Sequence, residues 1–247
     1  MAEPADTAAA DVPRSPWLRT GFVAAAAFVG FVAVVAGAVV ATSDDGGEAA
    51  AAPPAARTAE PPATGAPDGT CPTLSDTRQS PPTAEPAGVT WELYDGVALP
   101  ASKAAGPADT GPDQARCYAR TPLGALLAAS QISVRYLAAG DWESVTRAQT
   151  VGAGRDTYLA DRAAAEQTAA PGRDRPAHGQ IAGFRFVTYH GTTAVIETVW
   201  RFPAGQLQAA ATTMLWRDDD WRLEFPADPA APTPVGSLAG YVSWGGV

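Results

Sequence analysis

Lysine is all but missing from this sequence, with Lys103 alone set against sixteen arginines, and histidine, cysteine and methionine occur only twice each. The two histidines, His178 and His190, stand far from Cys71 and Cys117 in a spacing that suits no zinc site. A Ser-His-Asp order, a phosphate-binding loop and a dinucleotide fingerprint are likewise missing. The expectation is therefore no catalytic residue, no metal ligand and no cofactor. Clusters of Arg or Lys are absent too, and a net charge of −9 with a pI near 4.6 sets the chain against phosphate backbones, so direct nucleic-acid binding is not expected.

Charge is missing altogether from Gly21 to Ala41, twenty-one residues that include Phe22, Phe28, Phe31 and a series of valines. About twenty apolar residues suffice for an α-helix to cross a bilayer core. Arg14 and Arg19 precede the run, and Asp44, Asp45 and Glu48 follow it, which predicts a cytoplasmic tail over 1–20 and export of the remainder. The expected location is thus the cell membrane, as a single-pass protein with an extracellular C-terminal domain. Ala36-Gly37-Ala38 fits a signal-peptidase site as well, so cleavage stays open as an alternative.

Aromatic residues are missing from 42 to 90, where Ala, Pro, Gly and Asp dominate, whereas six of the seven Trp and every Tyr lie at or beyond Trp91. No core can be built from the first of these stretches, and 42–88 reads as a Pro/Ala-rich disordered stalk. Taken as extended polyproline, Thr42 to Thr70 would reach up to roughly 90 Å. Two cysteines in an exported segment favour a Cys71–Cys117 disulfide, closing a loop of about 47 residues and contributing roughly 4 kcal/mol by chain entropy.

The folded domain is expected over 89–247, with its core at about 118–226. A β segment around Trp91 to Val97 comes first. Thr121-Pro122 is a helix start, with Thr as N-cap and Pro at the first helical position, and Gly140 ends the run. A short helix from Asp141 and a third from Arg155 to Thr168 follow. Period-two strands then run from Gln180 to His190, through Ala194 to Phe202, from Leu207 to Trp216 and from Trp221 to Phe225. Helices first and strands afterwards predict an α+β layer. Asp141, Glu143, Asp156, Asp161 and Glu166 are read as caps and solvated charge, and Trp142, Trp200, Trp216, Trp221, Phe184, Phe186 and Phe225 as core. At the chain end, Tyr241 and Trp244 are expected either to dock on the domain or to form an aromatic patch for a partner.

The order of one long helix, two shorter helices and a four-stranded meander resembles the nuclear-transport-factor-2-like cone, in which three helices pack on a curved antiparallel sheet. With the preceding apolar run it is similar to the bitopic assembly subunits of type IV secretion and Gram-positive conjugation systems. The stretch Tyr118 to Ala129 and the closing Val242 to Val247 resemble an uncharacterised actinobacterial family of integrative and conjugative elements. These resemblances imply a non-enzymatic, membrane-anchored scaffold that self-associates and docks protein subunits of a DNA-transfer complex. An Mce-associated transport accessory, or an envelope ligand-binding or enzymatic module of the same fold, remains open beside it.

Overall fold

In a computed structural model of the chain, residues 70–168 and 179–246 are described. The elements run β1 (Thr90–Tyr94), β2 (Val97–Ala101), β3 (Asp109–Thr110), β4 (Ala115–Arg116), α1 (Pro122–Ala138), α2 (Trp142–Gln149), β5 (Thr150–Val151) and α3 (Arg155–Thr168). They continue with β6 (Gln180–Tyr189), β7 (Thr193–Arg201), β8 (Leu207–Arg217), β9 (Asp220–Glu224), β10 (Thr233–Val235) and β11 (Val242–Ser243).

Helix α1 starts where the sequence places it. The Thr121 hydroxyl accepts the Gly124 N–H at 3.1 Å, satisfying one of the donors a helix leaves free at its first turn. The helix is buried on almost every side rather than along one stripe, because it is packed between the sheet, α2 and the β1–β2 hairpin. Its polar members face that hairpin: Gln131 Nε2 donates to the Pro100 carbonyl at 3.0 Å, and the Arg135 guanidinium lies 4.1 Å from the centre of the Tyr94 ring. The end of α1 is held by α3. Arg162 donates to the Tyr136 and Leu137 carbonyls and lies over the Trp142 ring at 4.1 Å.

The main sheet has seven strands in the order β11-β6-β7-β8-β9-β5, with β10 paired to β8 beside β9. All neighbours are antiparallel except β5, which runs parallel to β9. One face carries Ile181, Phe184, Ala194, Ile196, Met214, Trp221 and Leu223 against α1. Part of the other is covered by the C-terminal segment, where Val235, Leu238 and Tyr241, with Leu207 of β8, pack on Ala182, Val199 and Ala209. Gly183 lets that segment approach, since a Cβ there would sit 2.7 Å from the Val242 carbonyl oxygen.

Two expectations are corrected here. The nuclear-transport-factor-2-like cone is contradicted: a seven-stranded sheet dominates the domain, one face packed against α1 and part of the other against the chain's own C-terminal segment. The second concerns the membrane. Residues 21–41 lie outside the described residues, and among the described residues no helix is long and apolar enough to cross a bilayer. The longest, α1, has 17 residues and includes Gln131 and Arg135, short of the roughly 20 apolar residues required. The single-pass anchor, with its cytoplasmic N-terminus and extracellular domain, therefore has no helix to carry it among the described residues. Residues 71–88, assigned on composition to the stalk, run along the domain, with Leu74 against the core and the Asp76 N–H donating to the Ala104 carbonyl at 2.9 Å.

The chain end is tied down by Trp244. It is 3% exposed, 4.8 Å from the Trp91 ring and 5.3 Å from the Phe184 ring in an edge contact, and its N–H donates to the Ala182 carbonyl at 3.1 Å. Beyond it Gly246 lies over the Trp91 ring, where a Cβ would come within 2.7 Å. The indole Nε1 has no hydrogen-bond partner among the described residues. Trp244→Ala should cost about 3–5 kcal/mol in urea unfolding, and Trp244→Phe under about 1.5 kcal/mol, because Phe keeps the ring contacts and removes an unpaired donor. Equal costs for the two variants would show that the ring contacts do not hold the tail.

Candidate functional site

Two features could carry function: a buried polar junction joining the N-terminal part of the domain to the sheet, and an open groove along one edge of that sheet.

The junction begins with Asp218 and Asp219, both at positive φ (50° and 56°), which form the two-residue turn between β8 and β9. The third aspartate, Asp220, thereby becomes the first residue of β9 and points inward, 3% exposed. Its carboxylate accepts the Cys117 N–H at 2.8 Å, the Tyr118 N–H at 3.0 Å and the Trp221 N–H at 2.9 Å. The Trp221 indole completes the link by donating to the Ala119 carbonyl at 2.9 Å. Cys117, at φ 68°, forms the disulfide with Cys71, 46 residues earlier. Thr121, besides capping α1, donates to Asp76 at 2.7 Å. Five consecutive residues, 117–121, thus bind both the segment before the hairpin and the sheet.

Burial raises the Asp220 carboxyl above the usual aspartate range, against the backbone N–H groups and the Arg222 charge that favour its ionised form. Burial also raises the phenols of Tyr118, Tyr136 and Tyr158. None of the three is set up as an acid or base facing solvent. Tyr118 donates to the Ala115 carbonyl, Tyr136 packs edge-on against Tyr158 and Phe225, and Tyr158 accepts from Arg162. These groups serve packing and hydrogen bonding. Among the described residues, no group of three or more His, Cys, Asp or Glu could hold a metal.

The groove has a volume of about 520 Å³. Its floor is β6 from Phe184 to Tyr189; one wall is Pro81–Thr83 and the other Gly240–Val242. The first wall is fixed by Gln79, which accepts from the Tyr189 hydroxyl at 2.9 Å and donates to the Arg120 carbonyl at 3.0 Å. The second is fixed by Tyr241, whose hydroxyl donates to Glu197 at 3.1 Å while Arg185 lies 4.8 Å over its ring and pairs with Glu197. Burial and Glu197 both push the Tyr241 phenol up, and Arg185 opposes them. Among the described residues no carboxylate lines the groove, and the one cation in its lining, Arg185, is paired with Glu197.

A family model for a domain of unknown function, DUF8175, matches residues 51–243. The chain belongs to the DUF8175 family. No curated protein and no solved structure matches it. The DUF8175 match takes in the disulfide, the hairpin and the groove walls as well as the helices and meander.

The structure separates the two aromatic residues that sequence reasoning paired. Tyr241 is half-buried in the groove wall and Trp244 is buried in the core, so they share no surface patch. Cys71 and Cys117, in contrast, are brought together. Asp220 was missed because a run of three aspartates reads as a solvated turn. The available signal was residue type: aspartate tolerates positive φ, so Asp218-Asp219 can form a two-residue hairpin turn that puts Asp220 at a strand position, next to Trp221. No sequence signal points to the groove, whose walls are remote in sequence from its floor.

Because folding raises the Asp220 pKa, the stability this proton contributes is fully present below the unfolded value and is lost as pH rises through the folded one. Asp220→Asn removes the titration. The stability difference between the natural chain and Asp220→Asn should therefore shrink as pH is raised from about 3 to 7 in a series of thermal unfolding curves. A difference that grows with pH would mean that the carboxyl is held below its usual range.

Proposed function

We propose that this DUF8175 chain is a non-enzymatic scaffold that acts by docking other protein subunits, as an assembly component of a conjugative, type IV secretion-like DNA-transfer apparatus. The observation that supports this most is the composition of the groove. Its lining combines Pro81, Pro82, Val187, Tyr189 and Tyr241 with Thr83, Thr188 and the paired Arg185, and among the described residues it offers neither a carboxylate nor an unpaired cation to move a proton or polarise a substrate. The buried ionisable groups elsewhere are bonded in structural roles, as Asp220 is by three backbone N–H groups. A surface of prolines, aromatic rings and valines with a few hydroxyls between them suits contact with another polypeptide.

The disulfide agrees with work in an oxidising compartment, where subunits of such an apparatus would meet. The apparatus itself is named from the resemblance of Tyr118–Ala129 and Val242–Val247 to the family of integrative and conjugative elements. In the structure Tyr118–Ala129 lead into and begin α1, and Val242–Gly246 form the tail that closes over Trp91, with Val242 also lining the groove.

Deleting the gene from a host element should reduce transfer of that element to background, and the natural chain supplied in trans should restore it. Transfer that proceeds unchanged without the chain would refute the assignment to this apparatus.

A further inference from the structure

Strand β6 is paired with β7 along its whole length, but its other edge is paired only at Gly183 and Phe184, by β11, with the Trp244–Ala182 hydrogen bond just before them. From Arg185 to Tyr189 no strand among the described residues lies on that edge, and no backbone hydrogen bond reaches it from the loops. Every second residue of a strand directs its N–H and C=O to the same edge, so about every other residue of this stretch presents an unpaired backbone donor and acceptor there. A register shift between Phe186 and Thr188 leaves Val187 opposite no residue of β7 and 53% exposed. Proteins ordinarily blunt such an edge with lysine, proline, an inward charge, a bulge or a covering loop. Here the bulge at Val187 interrupts the edge, and the segments Pro81–Thr83 and Gly240–Val242 flank it and leave a groove between them.

Building on the scaffold reading, we propose that the groove takes up an extended segment of a partner protein as an added β-strand on β6, continuing the line of β11. Five residues of free edge span about 17 Å, the length of an ordinary short strand. Backbone pairing would supply affinity, and the apolar walls would select side chains on alternate positions. Pro81 and Tyr189 form an apolar end that suits an aliphatic or aromatic side chain. At the other end Arg185 is held by Glu197 and Tyr241, so the segment needs no charge there.

A second copy of this chain is the wrong shape for the role. Its own β6 edge is recessed between the same two walls, and two concave grooves cannot bring their floors within hydrogen-bonding distance. A chain carrying a net charge of −9 is also poorly suited to self-pairing through one edge.

The test uses the full chain and Val187→Lys, a substitution at an exposed position that places a charge on the edge. A random seven-residue peptide library is panned on the natural chain with the variant as counter-selection. The enriched peptide is then synthesised in plain form and in a form N-methylated at alternate residues. The expected result is an enriched peptide of alternating apolar character that slows hydrogen exchange over 185–189. N-methylation and Val187→Lys should each weaken it by at least about tenfold, a loss of some 1.4 kcal/mol, with the unfolding transition of the variant unchanged. Failure to enrich any peptide, equal binding of the plain and methylated forms, or protection that maps away from β6 would overturn strand addition. Element transfer separates this from failure of the scaffold reading. If deletion abolishes transfer while Val187→Lys supports it fully, the edge is discarded and the scaffold stands; if deletion has no effect, the scaffold reading itself falls.

Discussion

The fold depends on a constraint at one carboxylate. Asp220 accepts three buried backbone N–H groups, and two of them, from Cys117 and Tyr118, belong to the segment that leads into α1. Without that acceptor the two donors would be buried with no partner, at about 1–3 kcal/mol each. With it, the first half of the domain is fixed to the start of β9. The disulfide to Cys71 and the Thr121–Asp76 bond carry the same constraint outward to the segment ahead of the hairpin. A carboxylate in this position costs desolvation, which is why its pKa is raised; it is retained because no apolar residue can accept from two successive amides.

What this junction fixes determines what can be left open. The segment beyond Cys71 reaches the sheet edge through Gln79 and Tyr189, and the C-terminal segment reaches the same edge through Trp244 and Tyr241. Between them a short length of β6 stays unpaired. Both walls are therefore anchored in covalently or hydrogen-bonded framework, and the gap between them is preformed. A preformed gap spares a bound segment the entropy of ordering its own receptor.

Local signals made the helices legible from sequence. Thr121-Pro122 marks the start of α1, Asp141 caps α2 by accepting the Ser144 N–H, and α3 occupies Arg155–Thr168 as expected. The meander was legible too, because β6 to β9 are long enough to show alternation. The small strands were not. β5 and β11 have two residues each and β10 has three, too few for any period, and their existence is decided by remote partners such as Leu223 and Phe184. Those strands, with the tail lying on the far face, are what separate this sheet from an open cone. Of the site, the cysteine pairing could be read from cell-compartment logic. Trp244 could be read only as a choice between docking and display, since the identity of a terminal aromatic does not say which surface receives it.

Amide hydrogen exchange at Cys117 and Tyr118 tests most directly whether the Asp220 junction holds the two halves of the domain together. If it does, both amides exchange only through global unfolding, with the same free energy as the central β7 amides and the same response to denaturant. Exchange of these two amides through a local opening, with β7 still protected, would show that the junction is a bystander to the fold.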